Sequence, residues 1–317
     1  MALEPLAKMG NFFHVYDFRV KPGTGDEFIR LFNEFDYGDD NPMHKSDAQV
    51  KDGVLCRDVE DEDHFYLIGE WRDIEIHKEI RVEMVNMAPE FVKLVEIANP
   101  QSDWLILDIA TGGGHTARTF APHVRHVIAS DISTDMLAAA QANIEKLGIT
   151  NIEFKEADSE NLPFEDNTFD LVTCRIAPHH FPNIQAFINE AARVLKPGGT
   201  FLVQDQLVPD EDTDARTIDA FETLRDPSHN RNYNLGEWQA KFEAAGLNVD
   251  HVESTAKRKS FYDWCQTQDC SDEVVAELET MLNEASEGVA AWFEPRDLGQ
   301  PEATFQHRYI IIAGKKP

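Results

Sequence analysis

From Trp104 onward the chain alternates short apolar runs with stretches whose apolar residues recur at helical spacing. The runs Trp104 to Ile109 ("WLILDI"), His126 to Ser130, Ile152 to Lys155, Leu171 to Cys174 and Thr200 to Gln204 are strand-length and mostly apolar. That is the pattern of strands covered on both faces in a parallel sheet. Helices are predicted between them, near His115 to Ala121, Thr134 to Leu147 and Ile184 to Leu195, the last stopped by Pro197, Gly198 and Gly199. Farther on, "LGEWQAKFEAAG" has a helical period, "LNVDHVES" reads as a strand and "FQHRYIIIAGKK" as a final strand. This order predicts an α/β domain with a doubly wound sheet.

The first hundred residues follow a different pattern. "FFHVYDFRV" (Phe12 to Val20) has period-two stretches, "KPGTG" breaks the chain, and "DEFIRLFNEF" has helical spacing with Asp26 as first-turn acid or cap. Two more strands, "VLCRDV" and "FYLIGEW", flank the turn-like "EDEDH", and "EIHKEIRVEMVNMAPEFVKLVEI" reads as helix until Pro89 interrupts it. A small α+β layer of helices on an antiparallel sheet is expected over residues 1–98. "ANPQSD" then serves as a linker to a second domain over 99–317.

Charge narrows the range of partners. With 58 acidic against 29 basic residues the net charge of the 317-residue chain is −29, which repels nucleic acid and anionic membranes. The short basic cluster "KRK" at Lys257 to Lys259 is expected to be a solvated strand end. Four cysteines, Cys56, Cys174, Cys265 and Cys270, make no disulfide framework and no metal spacing. The opening "MALEPLAKMG" has no long apolar core, and no run approaches the ~20 apolar residues of a membrane span, so a cytoplasmic, soluble protein is expected.

The chemistry centres on "LDIATGGGHTA" (Leu107 to Ala117). Gly112, Gly114 and Ala117 fit the G-x-G-x-x-A turn of a dinucleotide site, with Asp131 near the distance of a ribose-binding acid. Asp108 argues against a pyrophosphate, because a carboxylate ending the strand repels a phosphate and attracts a cation. No lysine or arginine lies between Asp108 and Ala117. A ligand positive near the loop is implied, and S-adenosylmethionine has such a pole together with a carboxylate for the loop amides. Asp131 after the second strand is placed for ribose hydroxyls, and Asp158 after the third for an adenine amine.

The segments "LPFEDNTFDLV" and "RVLKPGGTFLV" complete a pattern that resembles the class I S-adenosylmethionine-dependent methyltransferases from about Asp103 to Lys315. The resemblance implies a Rossmann-like sheet with an antiparallel strand near the C terminus. It assigns Asp108, Gly112 and Gly114, with Ala110 and Thr111 of the same loop, to the methionine end. Asp131 and Ile132 go to the ribose edge and Asp158 with Ser159 to the adenine. Ala110 departs from the pattern, since many members carry glycine there.

The loop "CRIAPHHFPN" after the fourth strand lies beside the sulfonium in this architecture. Arg175, also counted with the cofactor site, and His179 and His180 are the candidate catalytic residues. Capping of the next helix and pairing with local acids are the plain structural alternatives. Gln204, Asp205 and Gln206 end the fifth strand, where a side chain can orient substrate, and the acidic run Asp210 to Asp214 reads as a solvated loop, so no metal site is expected. "TLRDPSHNRNYNLGEW" and Phe261 to Trp292 are expected to form a lid. Phe261, Tyr262, Trp264, Trp292 and Phe293 serve either as pocket lining or as core.

"GEWRDIEIHKE", with Trp71 ending a strand and His77 on a helix, resembles the antibiotic-biosynthesis monooxygenase-type domain over residues 11–97. That resemblance implies a ferredoxin-like fold that pairs into homodimers. Trp71 and His77 are either a sheet plug and a capped helix or participants in haem or oxygen chemistry. The leading expectation is methyl transfer to a small aromatic or quinone-like acceptor. The alternatives are a bifunctional tailoring enzyme whose first domain oxidises or cyclises the same substrate, and a non-catalytic sensor or scaffold that binds the cofactor.

Overall fold

The computed structural model describes residues 11–36, 49–73, 76 and 89–317. The chain divides into two compact units, Met1–Pro89 and Glu90–Pro317.

In the first unit β1 (Phe12–Arg19), α1 (Gly25–Asp36), β2 (Gln49–Arg57) and β3 (His64–Trp71) give an antiparallel sheet of order β1-β3-β2. β1 alternates half-buried and exposed positions, as period-two patterning requires for a sheet covered on one face. Phe28 of α1 packs its ring 4.8 Å from that of the fully buried Phe65. The "KPGTG" turn is pinned from forty residues away, because Asp63 accepts hydrogen bonds from the amides of Gly23 (2.6 Å) and Gly25 (2.8 Å). Asp26 stands in the first turn of α1, as expected, and pairs with Arg57 at 2.8 Å. Trp71 is fully buried, whereas His77 lies outside the described residues.

The second unit opens with α2 (Pro89–Ala98), followed by β4 (Leu105–Ile109), α3 (His115–Phe120), β5 (His126–Asp131), α4 (Thr134–Lys146), β6 (Ile152–Glu156) and β7 (Phe169–Arg175). Then come α5 (Ile184–Val194), β8 (Leu195–Gln206), α6 (Asp212–Arg225), α7 (Leu235–Ala244), β9 (Asn248–Ser260), α8 (Phe261–Gln266), α9 (Asp272–Asn283), α10 (Glu287–Phe293) and β10 (Thr304–Lys315). The seven strands run β6-β5-β4-β7-β8-β10-β9, parallel except for β10.

The unit begins at the start of α2 rather than at Asn99. Leu94 and Ala98 are buried in one core layer with Ile106, Ala117 and Phe120, so "ANPQSD" joins two parts of one fold. α5 and α7 cover the opposite face through Phe187, Ile188, Trp238 and Phe242. Helix starts carry side-chain caps. Ser133 accepts from the Met136 amide, Asn183 from Ala186, and Asn234 and Glu237 form a reciprocal capping box. β8 begins at Leu195, five residues earlier than predicted, because "LKPGG" continues the strand directly from α5. No helix among the described residues is long and apolar enough to cross a membrane.

A third core layer joins α6, α8, α9 and α10 to the start of β10. Phe261, Trp264 and Phe293 are buried there with Phe221 and Phe305, ring to ring at about 5 to 6 Å. These aromatics are core, not pocket lining. The acidic run after β8 is a helix start rather than a loop: Asp212 and Asp214 lie in the first turn of α6, where the helix dipole favours acids, and Glu211 caps it.

Candidate active site

Strand order reverses at β4, whose neighbours β5 and β7 lead to opposite edges, and a crevice opens there beyond the carboxyl ends. The turn that follows is tight. Ala110, Gly112 and Gly114 all have left-handed backbone, with φ of 51°, 52° and 79°. A side chain at Gly114 would also meet Ile144, whose Cδ1 lies 2.7 Å from an added Cβ, so that position requires glycine twice over.

Asp108 lies under this loop instead of in the open. Its carboxylate accepts from Thr111 Oγ1 (2.6 Å), the Ala117 amide (3.2 Å) and Thr173 Oγ1 (2.7 Å). Burial pushes its pKa up to about 6 against the pull of those donors. Asp108 therefore braces the loop. Asp131 performs the matching task from β5, accepting from the amides of Gly112 (2.9 Å) and Ser133 (2.9 Å). The Thr111 amide is held by the Ser130 carbonyl at 2.8 Å.

Beside the loop is a cleft of about 280 Å³ lined by Ala110, Ile132, Asp158, Ser159, His180 and Phe181, among others. Five residues expected from sequence converge on it. Its volume sits just below the ~300–1,000 Å³ of pockets that enclose a drug-sized ligand, which suits one end of an extended cofactor. Ile132 is 69 % exposed, an apolar side chain left open in the cleft lining.

The three candidate catalytic residues do not share one place. Arg175 ends β7, donates from Nε to Gln204 (2.9 Å) and lies 4.4 Å over the Phe91 ring, away from the cleft lining. Burial lowers its pKa. Ile176 follows with φ 52°, a strained conformation for a β-branched residue, which turns the chain into the short 3-10 segment Pro178–His180.

His179 is buried and gripped twice by Asp205, from its amide (2.8 Å) and from Nδ1 (2.6 Å). Burial opposes its charged form, but the Asp205 carboxylate outweighs burial and the pKa rises. His180 points to the cleft, with Nδ1 at 3.0 Å from the Ser228 carbonyl, and burial followed by His179 lowers its pKa. Among the described residues no three His, Cys, Asp or Glu side chains converge as a metal site.

Sequence reasoning missed a second buried polar set, Glu222, His307 and Tyr309. His307 Nε2 meets Glu222 at 2.7 Å and Nδ1 meets the Tyr309 hydroxyl at 2.8 Å, all three being buried. The spacing of His307 and Tyr309, two apart on a strand, puts them on one face, but nothing local joins either to Glu222.

A seven-stranded sheet of this order, with a braced glycine turn and acids after successive strands, defines a class I S-adenosylmethionine-dependent methyltransferase. The family described as "Methyltransferase domain" matches residues 106–199. The chain is 33 % identical to the uncharacterized methyltransferase YcgJ of Bacillus subtilis (strain 168), over 70 % of this chain and 88 % of that protein. It superposes on the YcgJ crystal structure with a TM-score of 0.68, covering 96 % of that chain, and on a Bacillus halodurans C-125 structure (36 % identical) with 0.69, covering 98 %. A shorter match, 43 % identical over 103 residues and 38 % of that protein, is to the ubiquinone/menaquinone biosynthesis C-methyltransferase UbiE of Brucella canis. The chain belongs to the S-adenosylmethionine-dependent methyltransferases, and S-adenosylmethionine is its cofactor.

Proposed function

We propose that this enzyme methylates a small aromatic or quinone-like acceptor and that His179 takes the acceptor's proton. The observation that carries this reading is the buried His179–Asp205 pair, next in sequence to a histidine that lines the cleft. With Nδ1–H committed to Asp205, Nε2 is the basic nitrogen left for an acceptor. Asp205 raises the basicity of that nitrogen, as a general base needs.

The bound cofactor supplies an electron-poor methyl group on a sulfonium. The chain holds and aligns it: Asp108, with Ala110, Thr111, Gly112 and Gly114, receives the methionine end, Asp131 and Ile132 the ribose, and Asp158 with Ser159 the adenine. Arg175 stands at the acceptor side. The quinone-like class is supported by the likeness to the ubiquinone/menaquinone biosynthesis C-methyltransferase UbiE and by Phe91 beside Arg175.

For the N-terminal unit we retain the ferredoxin-like reading and a homodimer. The order β1-β3-β2, with α1 between β1 and β2, supports the fold, and Phe13, Val15 and Val54 leave an apolar sheet face exposed for a second copy.

The test is turnover against cofactor binding, read as S-adenosylhomocysteine release on a panel of phenols and quinols. His179→Ala is expected to lower kcat by about 10²–10³-fold and to leave cofactor affinity nearly unchanged, with Asp205→Asn intermediate. Equal loss of turnover and cofactor affinity would remove His179 from the chemistry.

A further inference from the structure

β9 and β10 run past the end of the sheet. β10 pairs with β8 only from Tyr309 to Lys315, while Thr304 to Arg308 continue the pairing with Ser260 to Ala256 of β9. Tyr309 lies opposite Gln206, the last residue of β8, so the extra length projects beyond the carboxyl edge where Arg175 and Gln206 end their strands. Residues opposite one another in an antiparallel pair share a face. Lys259, His307, Tyr309 and Gln206 therefore stand on one side of this projection.

That side has an unusual charge balance. Among the charged groups that act on Lys259 are Glu222, Arg225, Lys257 and Arg175. Glu222 is already committed to His307, and Lys257 is paired with Glu90 at 3.1 Å. Arg225 donates to the Trp264 carbonyl and Thr267, and Arg175 to Gln204, so neither is tied to an acid by a hydrogen bond. Three of these four groups are cations, in a chain where acids outnumber bases two to one.

Lys259 has no hydrogen bond or ion pair with any described residue, and its ammonium lies 5.6 Å over the Tyr309 ring. Burial pushes its pKa down to about 8 against the pull of Glu222. Gln206 is only 7 % exposed, yet its Oε1 has no partner. A buried acceptor left unpaired costs free energy that a bound donor recovers. The "KRK" cluster is a solvated strand end only at Lys257, whose side chain is 62 % exposed beside Glu90; Arg258 pairs with Glu294 and Lys259 turns inward.

We propose that the overrun of β9 and β10 is the acceptor subsite and that Lys259, with Arg175 near it, binds a carboxylate carried by the methyl acceptor. The unpaired Gln206 oxygen accepts a hydroxyl or N–H proton of the same molecule. The subsite rests on the small-acceptor reading above but not on the role of His179.

The experiment titrates the full-length protein, loaded with S-adenosylhomocysteine, with benzoate, 4-hydroxybenzoate, their amides and inorganic phosphate, by calorimetry. The acids are expected to bind at least tenfold more tightly than the amides. Lys259→Gln should abolish that preference with cofactor affinity and melting temperature unchanged, and Lys259→Arg should keep it. Equal binding of acids and amides, no detectable binding of either, binding of phosphate alone, or a preference that survives Lys259→Gln would each overturn the proposal. An acid preference that persists in His179→Ala supports the subsite whatever happens to turnover, so the two readings fail separately.

Discussion

Along the carboxyl edge of the sheet, the side formed by β4 to β6 presents Asp108, Asp131 and Asp158, while the side formed by β7, β9 and β10 presents Arg175, His307 and Lys259. The first side is acidic at its centre, and Asp108 and Asp131 spend their carboxylates on threonine hydroxyls and backbone amides. It shapes a loop for a ligand with a positive pole. The second side surrounds an unpaired cation with a buried Glu–His–Tyr chain. A single rim thus separates two ligand chemistries by charge, and in a chain of net charge −29 it is the basic side that departs from the background.

The largest effect expected from breaking this division is on the basic side. Glu222→Gln takes the buried carboxylate from a His307 ring that burial keeps uncharged and leaves Lys259 and Arg175 less compensated, which should cost about 3 kcal/mol in urea unfolding, the upper range for stripping a buried hydrogen-bond partner. A cost below about 1 kcal/mol, the range for a surface pair, would show that Glu222 is not a buried charge.

On the acidic side, Asp131→Ala removes the acceptor for two loop amides and should weaken S-adenosylmethionine binding about a hundredfold, or ~2.7 kcal/mol. Lys259→Gln in the same titration should change nothing. If Asp131→Ala leaves cofactor affinity unchanged, the loop does not depend on this carboxylate.

A pH titration sharpens the role of Asp108. Its pKa is raised to about 6, so the carboxyl gains a proton as pH falls through that value and loses its attraction for a positive pole. Cofactor affinity should be level above pH ~7 and fall below 6 by up to about tenfold per pH unit. The fall should vanish in Asp108→Asn, and a fall that persists there would assign it to another group.

The smallest effect concerns the turn itself. Ala110 holds φ 51°, a conformation that costs an L side chain about 1–2 kcal/mol, partly offset by the entropy that glycine brings to the unfolded chain. Ala110→Gly should stabilise the protein by about 0.5–1 kcal/mol with cofactor affinity retained. A loss of stability would mean that the Ala110 methyl contributes more packing than its backbone costs.

The acidic side was legible because its signals are local. Each carboxylate follows directly on an apolar run, so strand, turn and ligand-facing acid could be read together. Ile132 and Ser159 came with it, since each directly follows one of these acids, and His180 was read from the loop after β7. The basic side was hidden for the opposite reason. Glu222 lies on α6, whose first-turn acids looked like a solvated run, and it meets His307 across 85 residues. The clue that could have found it is the Glu211 cap followed by Asp212 and Asp214, a helix-start pattern. Asp205 was placed at a strand end, but its grip on His179 depends on the Ile176 turn, which no propensity predicts.

Apolar periodicity, glycine placement and strand-end acids determined by themselves the parallel sheet, its crossover helices and the charge of the cofactor loop, because each depends on neighbours within a few residues. The tertiary structure alone decided that α2 belongs to the catalytic unit, that the aromatics near the C terminus are core, and that Lys259 faces inward without a partner. Those outcomes depend on strand register and on helices packing across tens of residues. A contact between distant segments leaves no mark in the local pattern of either one.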